Sequence, residues 1–240
     1  MSTMLALQGV SKSFGALKVT DDVSFEVSQG QALGIIGPNG AGKSTLFNLI
    51  TGNLMADTGS VHFQGRDVTR VSAMDRCTGG MGRSFQIPQP FGKLSVYENL
   101  LVAAAFGQGR SENAVEDFAA EVLDQTELTP KANAIAGGLS LLDRKRLELA
   151  KALATDPKLL LLDEIAGGLT DAECTSLIAT IKGINQRGVT IIWIEHVLHA
   201  LTAVVEQLLV LDFGKVIGIG APDEVMARQD VKEIYLGAEI

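Results

Sequence analysis

The 240-residue sequence predicts an α/β fold: a mixed sheet with antiparallel N-terminal strands, interrupted by an inserted helical subdomain. Three observations predict it. A glycine-rich loop, Gly37-Pro38-Asn39-Gly40-Ala41-Gly42-Lys43-Ser44, stands directly after a short apolar run and directly before a helix start. Two continuous apolar runs, Leu159–Leu162 and Val189–Ile194, have the character of strands buried on both faces of a parallel sheet. Between the loop and those runs, apolar residues recur at helical spacing.

Taken in chain order, Leu5–Val10 and Val23–Val27 alternate or run apolar and read as strands, and Ala32–Ile36 is a short buried strand. A helix opens at Lys43. Asp57-Thr58-Gly59 reads as a turn, with Ser60–Gly65 as the hairpin strand after it. Val96–Phe106 and Ser111–Leu128 read as helices, the second with Ala114, Val115, Phe118, Ala119, Val122 and Leu123 on one face. Leu208–Ile219, around Phe213-Gly214, reads as a hairpin, and a short helix follows from about Pro222. Residues 1–86 and 158–240 are therefore assigned to the core and 87–157 to the helical subdomain.

Composition narrows the function classes. With 46% apolar and 20% charged residues the chain can bury a sizeable core, which excludes a disordered or collagen-like protein. Its net charge of -8 repels polyanions, so no nucleic-acid partner is expected. Cys77 and Cys174 have no ligand spacing and read as reduced thiols of a cytosolic protein. The N-terminus lacks a basic region followed by an apolar stretch, and no apolar window reaches about 18 residues, so neither export nor a membrane span is expected. A membrane role would come through a partner.

The glycine-rich loop carries the chemistry. Its glycines let backbone N–H groups wrap phosphates, the helix N-terminus adds partial positive charge, Lys43 reaches the β- and γ-phosphates, and Ser44 offers a hydroxyl to Mg²⁺. The expected nucleotide contacts are Asn39, Gly40, Gly42, Lys43, Ser44 and Thr45. The run Leu159–Leu162 then delivers Asp163, a carboxylate for Mg²⁺, and Glu164, a second carboxylate able to orient or deprotonate a water. His196 with His199 could suggest a metal pair, but no third ligand is in view.

In this order the motifs resemble those of the ATP-binding subunits of ABC transporters, over nearly the whole chain. The resemblance implies a phosphate-loop ATPase core with ATP and Mg²⁺ as cofactors. It implies that Phe14 stacks on adenine, that Gln86 contacts Mg²⁺ and the attacking water, and that His196 senses the γ-phosphate. The segments Phe47–Gly52, Arg83–Gln86, Tyr97–Ala103 and Ile234–Gly237 look most like the ATPases of branched-chain amino acid importers, and relatives that carry urea, amides or aromatic acids look similar. Such subunits work as homodimers or heterodimers on the cytoplasmic face of the membrane. The permease is expected to dock near Ile87–Lys93, where Ile87-Pro88-Gln89-Pro90-Phe91-Gly92 is apolar and punctuated by proline.

The sequence departs from the family at its signature segment, normally Leu-Ser-Gly-Gly-Gln and here Leu139-Ser140-Leu141-Leu142-Asp143. Ser140 and the following N–H groups could still face the γ-phosphate held by the opposite protomer. Asp143 either opposes that phosphate or closes a capping box with Ser140. Ile165, Gly167–Thr170 and Val197 also differ from the usual pattern. The alternatives are a soluble ABC-type ATPase outside transport and a catalytically weak partner that completes a heterodimer.

Overall fold

The structure is a computed structural model that describes residues 2–109, 111 and 115–236. Six strands form the central sheet, in the order β10 (Lys215–Gly220), β9 (Gln207–Asp212), β3 (Ala32–Ile36), β8 (Thr190–Ile194), β7 (Leu159–Asp163), β6 (Met81–Arg83). All neighbours run parallel except β10, which returns antiparallel from β9 through the predicted Phe213-Gly214 hairpin. The second sheet is antiparallel, in the order β2 (Leu17–Ser28), β1 (Thr3–Phe14), β4 (Thr58–Phe63), β5 (Arg66–Asp67).

The alternation of side chains along the parallel strands divides the core in two. Leu33, Ile35, Leu159, Leu161, Ile192 and Ile194 pack toward the antiparallel sheet and helix α1 (Lys43–Thr51). Leu160, Leu162, Ile191 and Trp193 pack on the other face, in one continuous cluster with the helices that follow. Those are α3 (Val96–Gln108), α4 (Glu116–Gln125) and α5 (Leu141–Ala154), all between the neighbouring strands β6 and β7, and α6 (Asp171–Gln186) after them. The other α-helices of the described residues are the short α2 (Ala73–Thr78), α7 (Leu198–Thr202), α8 (Pro222–Ala227) and α9 (Gln229–Leu236).

Several elements differ from the expectation. Strands β1 and β2 have 12 residues each, because they pair with each other through irregular registers far beyond their apolar runs. Thr58 and Gly59 belong to β4 rather than to a turn: Gly59 sits at φ 83, and a Cβ there would lie 2.3 Å from the Gly9 carbonyl oxygen. The second inserted helix spans Glu116–Gln125 rather than Ser111–Leu128. Val115, Ala119, Val122 and Leu123 are buried as expected, while Ala114 lies outside the described residues, as does Gly237.

Candidate active site

Four parallel strands end at the same edge of the sheet, where the crevices of open α/β sheets bind ligands. Strand β3 leads into the glycine-rich loop, β6 into Ser84-Phe85-Gln86, β7 into Asp163-Glu164 and β8 into Glu195-His196.

The loop turns into α1 at Gly42, whose φ of 101 lies in the left-handed region. A Cβ at Gly42 would lie 2.4 Å from the carbonyl oxygen of Val19, so only glycine lets the loop pass β2 this closely. The Lys43 ammonium donates to the carbonyls of Gly37 at 2.7 Å and Pro38 at 3.0 Å. Burial holds its pKa below the usual lysine value, and the carboxylates of Glu164 and Asp163 pull it back up. A cavity of about 210 Å³ opens beside it, lined by Asn39, Gly40, Lys43, Ser44, Thr45 and Glu164.

Glu164 is the hub of the opposite wall. Its side chain receives a hydrogen bond from Gln86 Nε2 on one oxygen and shares a 2.9 Å bond with His196 Nε2 on the other. Of the three candidate catalytic residues, contributed by the ends of β6, β7 and β8, Gln86 and His196 therefore converge on the carboxylate of Glu164. Glu164 holds φ 46, a conformation that costs a non-glycine residue about 1–3 kcal/mol unless its surroundings fix it. Its N–H donates to Ile194 O at 2.9 Å.

Buried Glu195 supports the same turn, accepting from Ala166 N–H and Trp193 Nε1, both at 3.2 Å, and from His196 N–H at 3.3 Å. Burial raises its carboxyl above the ordinary range, against the pull of those donors.

Asp163 has a partner that the sequence did not suggest. Arg83 Nη2 donates to Asp163 Oδ2 at 2.8 Å and Arg83 Nη1 to Asn48 Oδ1 at 2.6 Å, with the guanidinium over the rings of Phe47 and Phe85. Ser84 Oγ accepts from the Asp163 N–H at 3.3 Å. Eighty positions separate Arg83 from Asp163, so only the pairing of β6 with β7 brings them together.

Phe14 and Ser140 stand apart from this cluster. Phe14 is half-exposed at the end of β1, with the Lys12 ammonium 5.8 Å from its ring centre. Ser140 caps α5 and accepts the Asp143 N–H at 3.2 Å. The capping box is altered: the Asp143 carboxylate accepts from the Ser140 hydroxyl rather than from its N–H, and also from Lys131. Burial pushes the Asp143 carboxyl up, but Lys131 and Ser140 outweigh it and leave the group below the ordinary carboxylate range. Thr170, another departure, caps α6 in a complete capping box with Glu173. Among the described residues no cluster of histidine, cysteine and carboxylates forms a metal site, and His199 meets only Cys174, at 3.9 Å.

Residues 20–167 match the ABC transporter family. The chain belongs to that family. Across the described residues no helix is long and apolar enough to cross a membrane. The chain is 30% identical to the lipopolysaccharide export system ATP-binding protein LptB of Haemophilus influenzae, over 99% of this chain and 98% of that one. It is 32% identical to the high-affinity branched-chain amino acid transport ATP-binding protein BraF of Pseudomonas aeruginosa, over 98% of each. The ADP conformation of MJ1267, an ATP-binding cassette of an ABC transporter, superposes with a TM-score of 0.90 at 32% identity, covering 99% of this chain and 100% of that one. This chain is an α/β ABC cassette, an ATP-hydrolysing subunit of a transporter.

Proposed function

We propose that this cassette powers an importer for branched-chain or related amino acids from the cytoplasmic face of the membrane, paired with a second copy or a second ATPase subunit. One observation carries the coupling of hydrolysis to a membrane partner: Gln86 is bonded to Glu164, and the residues after Gln86 form a loop that presents Ile87 and Phe91 to solvent at 71% and 52% exposure.

The loop is held by its backbone, which leaves those apolar side chains to a partner. Glu148 of α5 accepts from Phe85 and Gln89 N–H, Lys151 donates to Gln89 O at 2.9 Å, and Asn99 exchanges two bonds with Phe91. Beside it lies a cavity of about 290 Å³ whose walls combine apolar Ala73, Met81, Phe85 and Ala103 with charged Arg83, Glu148 and Lys151, of the size to take a side chain or two of a docked permease segment.

In this reading the backbone of Asn39, Gly40, Gly42, Ser44 and Thr45 wraps the phosphates, Lys43 leaves the loop carbonyls to bind the β- and γ-oxygens, and Phe14 stacks on adenine. Glu164 takes the proton of the attacking water while His196 and Gln86 fix its two oxygens. The N–H groups of Leu141 and Leu142 meet the γ-phosphate of the opposite protomer, and the Ser140 hydroxyl joins them by turning away from Asp143. Their anion-binding end is not opposed by Asp143, which is neutralised by Lys131. The Ser44 hydroxyl, the Gln86 amide and the Asp163 carboxylate are hard oxygen donors of the kind that suit Mg²⁺, which would neutralise charge on the triphosphate when bound.

The amino-acid substrate is supported by the likeness to BraF and by the segments around Phe47–Gly52 and Tyr97–Ala103. The test is reconstitution with the permeases that co-purify from membranes, followed by ATP-driven uptake of branched-chain amino acids. Phe91→Glu should release the cassette from those permeases and leave ATP binding intact. Uptake of no amino acid by a complex that hydrolyses ATP would overturn the substrate assignment, and a membrane-bound Phe91→Glu would move the docking site elsewhere.

A further inference from the structure

We infer that Lys145, on the first turns of α5, is the positioning residue that fixes the Glu164 turn and joins it to that helix. The inference rests on Glu164 being the base of hydrolysis. The Lys145 ammonium donates to Gln86 O at 3.2 Å and to Glu164 O at 3.1 Å. The side chains of the same two residues are bonded to each other. The result is a closed ring, in which one cation holds the backbones of the pair whose side chains meet at the reaction centre.

Three features show that the arrangement is built rather than incidental. Lys145 is only 5% exposed, so its charge is removed from water and is kept there by its two carbonyls and by the fields of Glu195 and Glu164. It grips a residue with φ 46, and such a backbone persists only where neighbours over-determine it. Its two carbonyl partners come from different strand ends, beyond β6 and β7, whereas Lys145 belongs to α5. Residues 145, 148 and 151 share one face of α5, and all three reach the 85–91 segment, but among them only Lys145 also reaches Glu164.

Lys145 thus makes α5 one of the supports of the Glu164 turn, on the carbonyl side, while Ile194 O holds its N–H. A shift of α5 that stretched these two bonds would release the Glu164 carbonyl before disturbing the phosphate loop, which Lys145 does not touch.

The experiment compares ATP turnover and ATP affinity of the full chain carrying Lys145→Met, Lys145→Gln or Lys145→Arg, each alone and with Glu164→Gln. Removing one charge-assisted bond to the turn should lower kcat of Lys145→Met by about 10- to 100-fold. ATP affinity should stay within about 2-fold of the parent, because no nucleotide contact is lost. Lys145→Arg should recover most of the turnover. In the Glu164→Gln background Lys145→Met should add no further loss, as expected when two residues act as one unit.

A folded Lys145→Met or Lys145→Gln with parental kcat would overturn the inference, as would a fall in affinity that accounts for the whole loss, or losses that multiply in the double variant. If Lys145→Met does not fold, Lys145→Gln decides by the same criteria. Parental turnover in Glu164→Gln alone would instead overturn the assignment of Glu164.

Discussion

Arg83→Met removes the guanidinium from between Asp163, Asn48 and two aromatic rings while keeping most of its apolar volume. Both partners of the Arg83–Asp163 pair are nearly buried, at 10% and 8% side-chain exposure, so the change leaves the carboxylate without its ion-pair partner and with only the more distant field of Lys43. Breaking a buried pair from one side costs about 3–5 kcal/mol. For a chain of this size 1 kcal/mol shifts the melting temperature by about 2–4 °C, so a fall of about 6–20 °C is expected. ATP with Mg²⁺ should stabilise the variant more than the parent, because a cation at Asp163 replaces the charge that Arg83 supplied. The assay is thermal unfolding of both proteins without nucleotide, with ATP and a chelator, and with ATP and Mg²⁺. A variant that melts within about 1 °C of the parent, or gains no more than the parent from the metal, would show that Arg83 does not balance the charge of Asp163.

Lys43→Ala should weaken ATP binding by about 100-fold or more, since no other residue of the loop brings positive charge to the β/γ position; titration with a fluorescent ATP analogue measures it. Asp143→Asn should cost about 1 kcal/mol at neutral pH, a modest figure because Lys131 is about half exposed. The carboxyl of Asp143 is held below its ordinary value in the folded state, so its contribution is complete above about pH 5 and is lost progressively as the pH falls through the ordinary carboxylate range and below it. Urea unfolding across that range should show the gap between parent and variant closing in acid. Asp143→Gln should leave ATP-driven dimerisation unchanged, because the charge is already neutralised by Lys131; tighter dimers by gel filtration would show that it faces the partner's phosphate.

What could be read in the sequence was local. The phosphate loop, the start of α1 at Lys43 and the buried runs of β7 and β8 each carry their signal within about ten residues, in glycine, in apolar continuity and in the acidic pair after Leu162. Gln86 and His196 were reached through resemblance, and the structure gives the physical reason they belong together, a shared bond to Glu164. Strand β6 has three residues and is a strand only because β7 lies beside it, so nothing in its own pattern marks it. Arg83 and Lys145 escaped for the same reason. Each looks like a solvated cation in sequence; contacts 80 and 19 or more positions away leave Arg83 nearly buried and Lys145 buried. The over-long second helix shows the converse, since apolar spacing continued past the point where Thr126 ends the helix and hydrogen-bonds back to Val122.

We propose that Glu164 receives the proton of the attacking water where Gln86 and His196 meet its carboxylate. Glu164→Gln tests it most directly, because the amide keeps the size of the carboxylate but accepts no proton. ATP should bind this variant with parental affinity, steady-state phosphate release should fall by about 10²- to 10⁴-fold, and an ATP-bound dimer should accumulate on gel filtration. Phosphate release at the parental rate from this variant would contradict it.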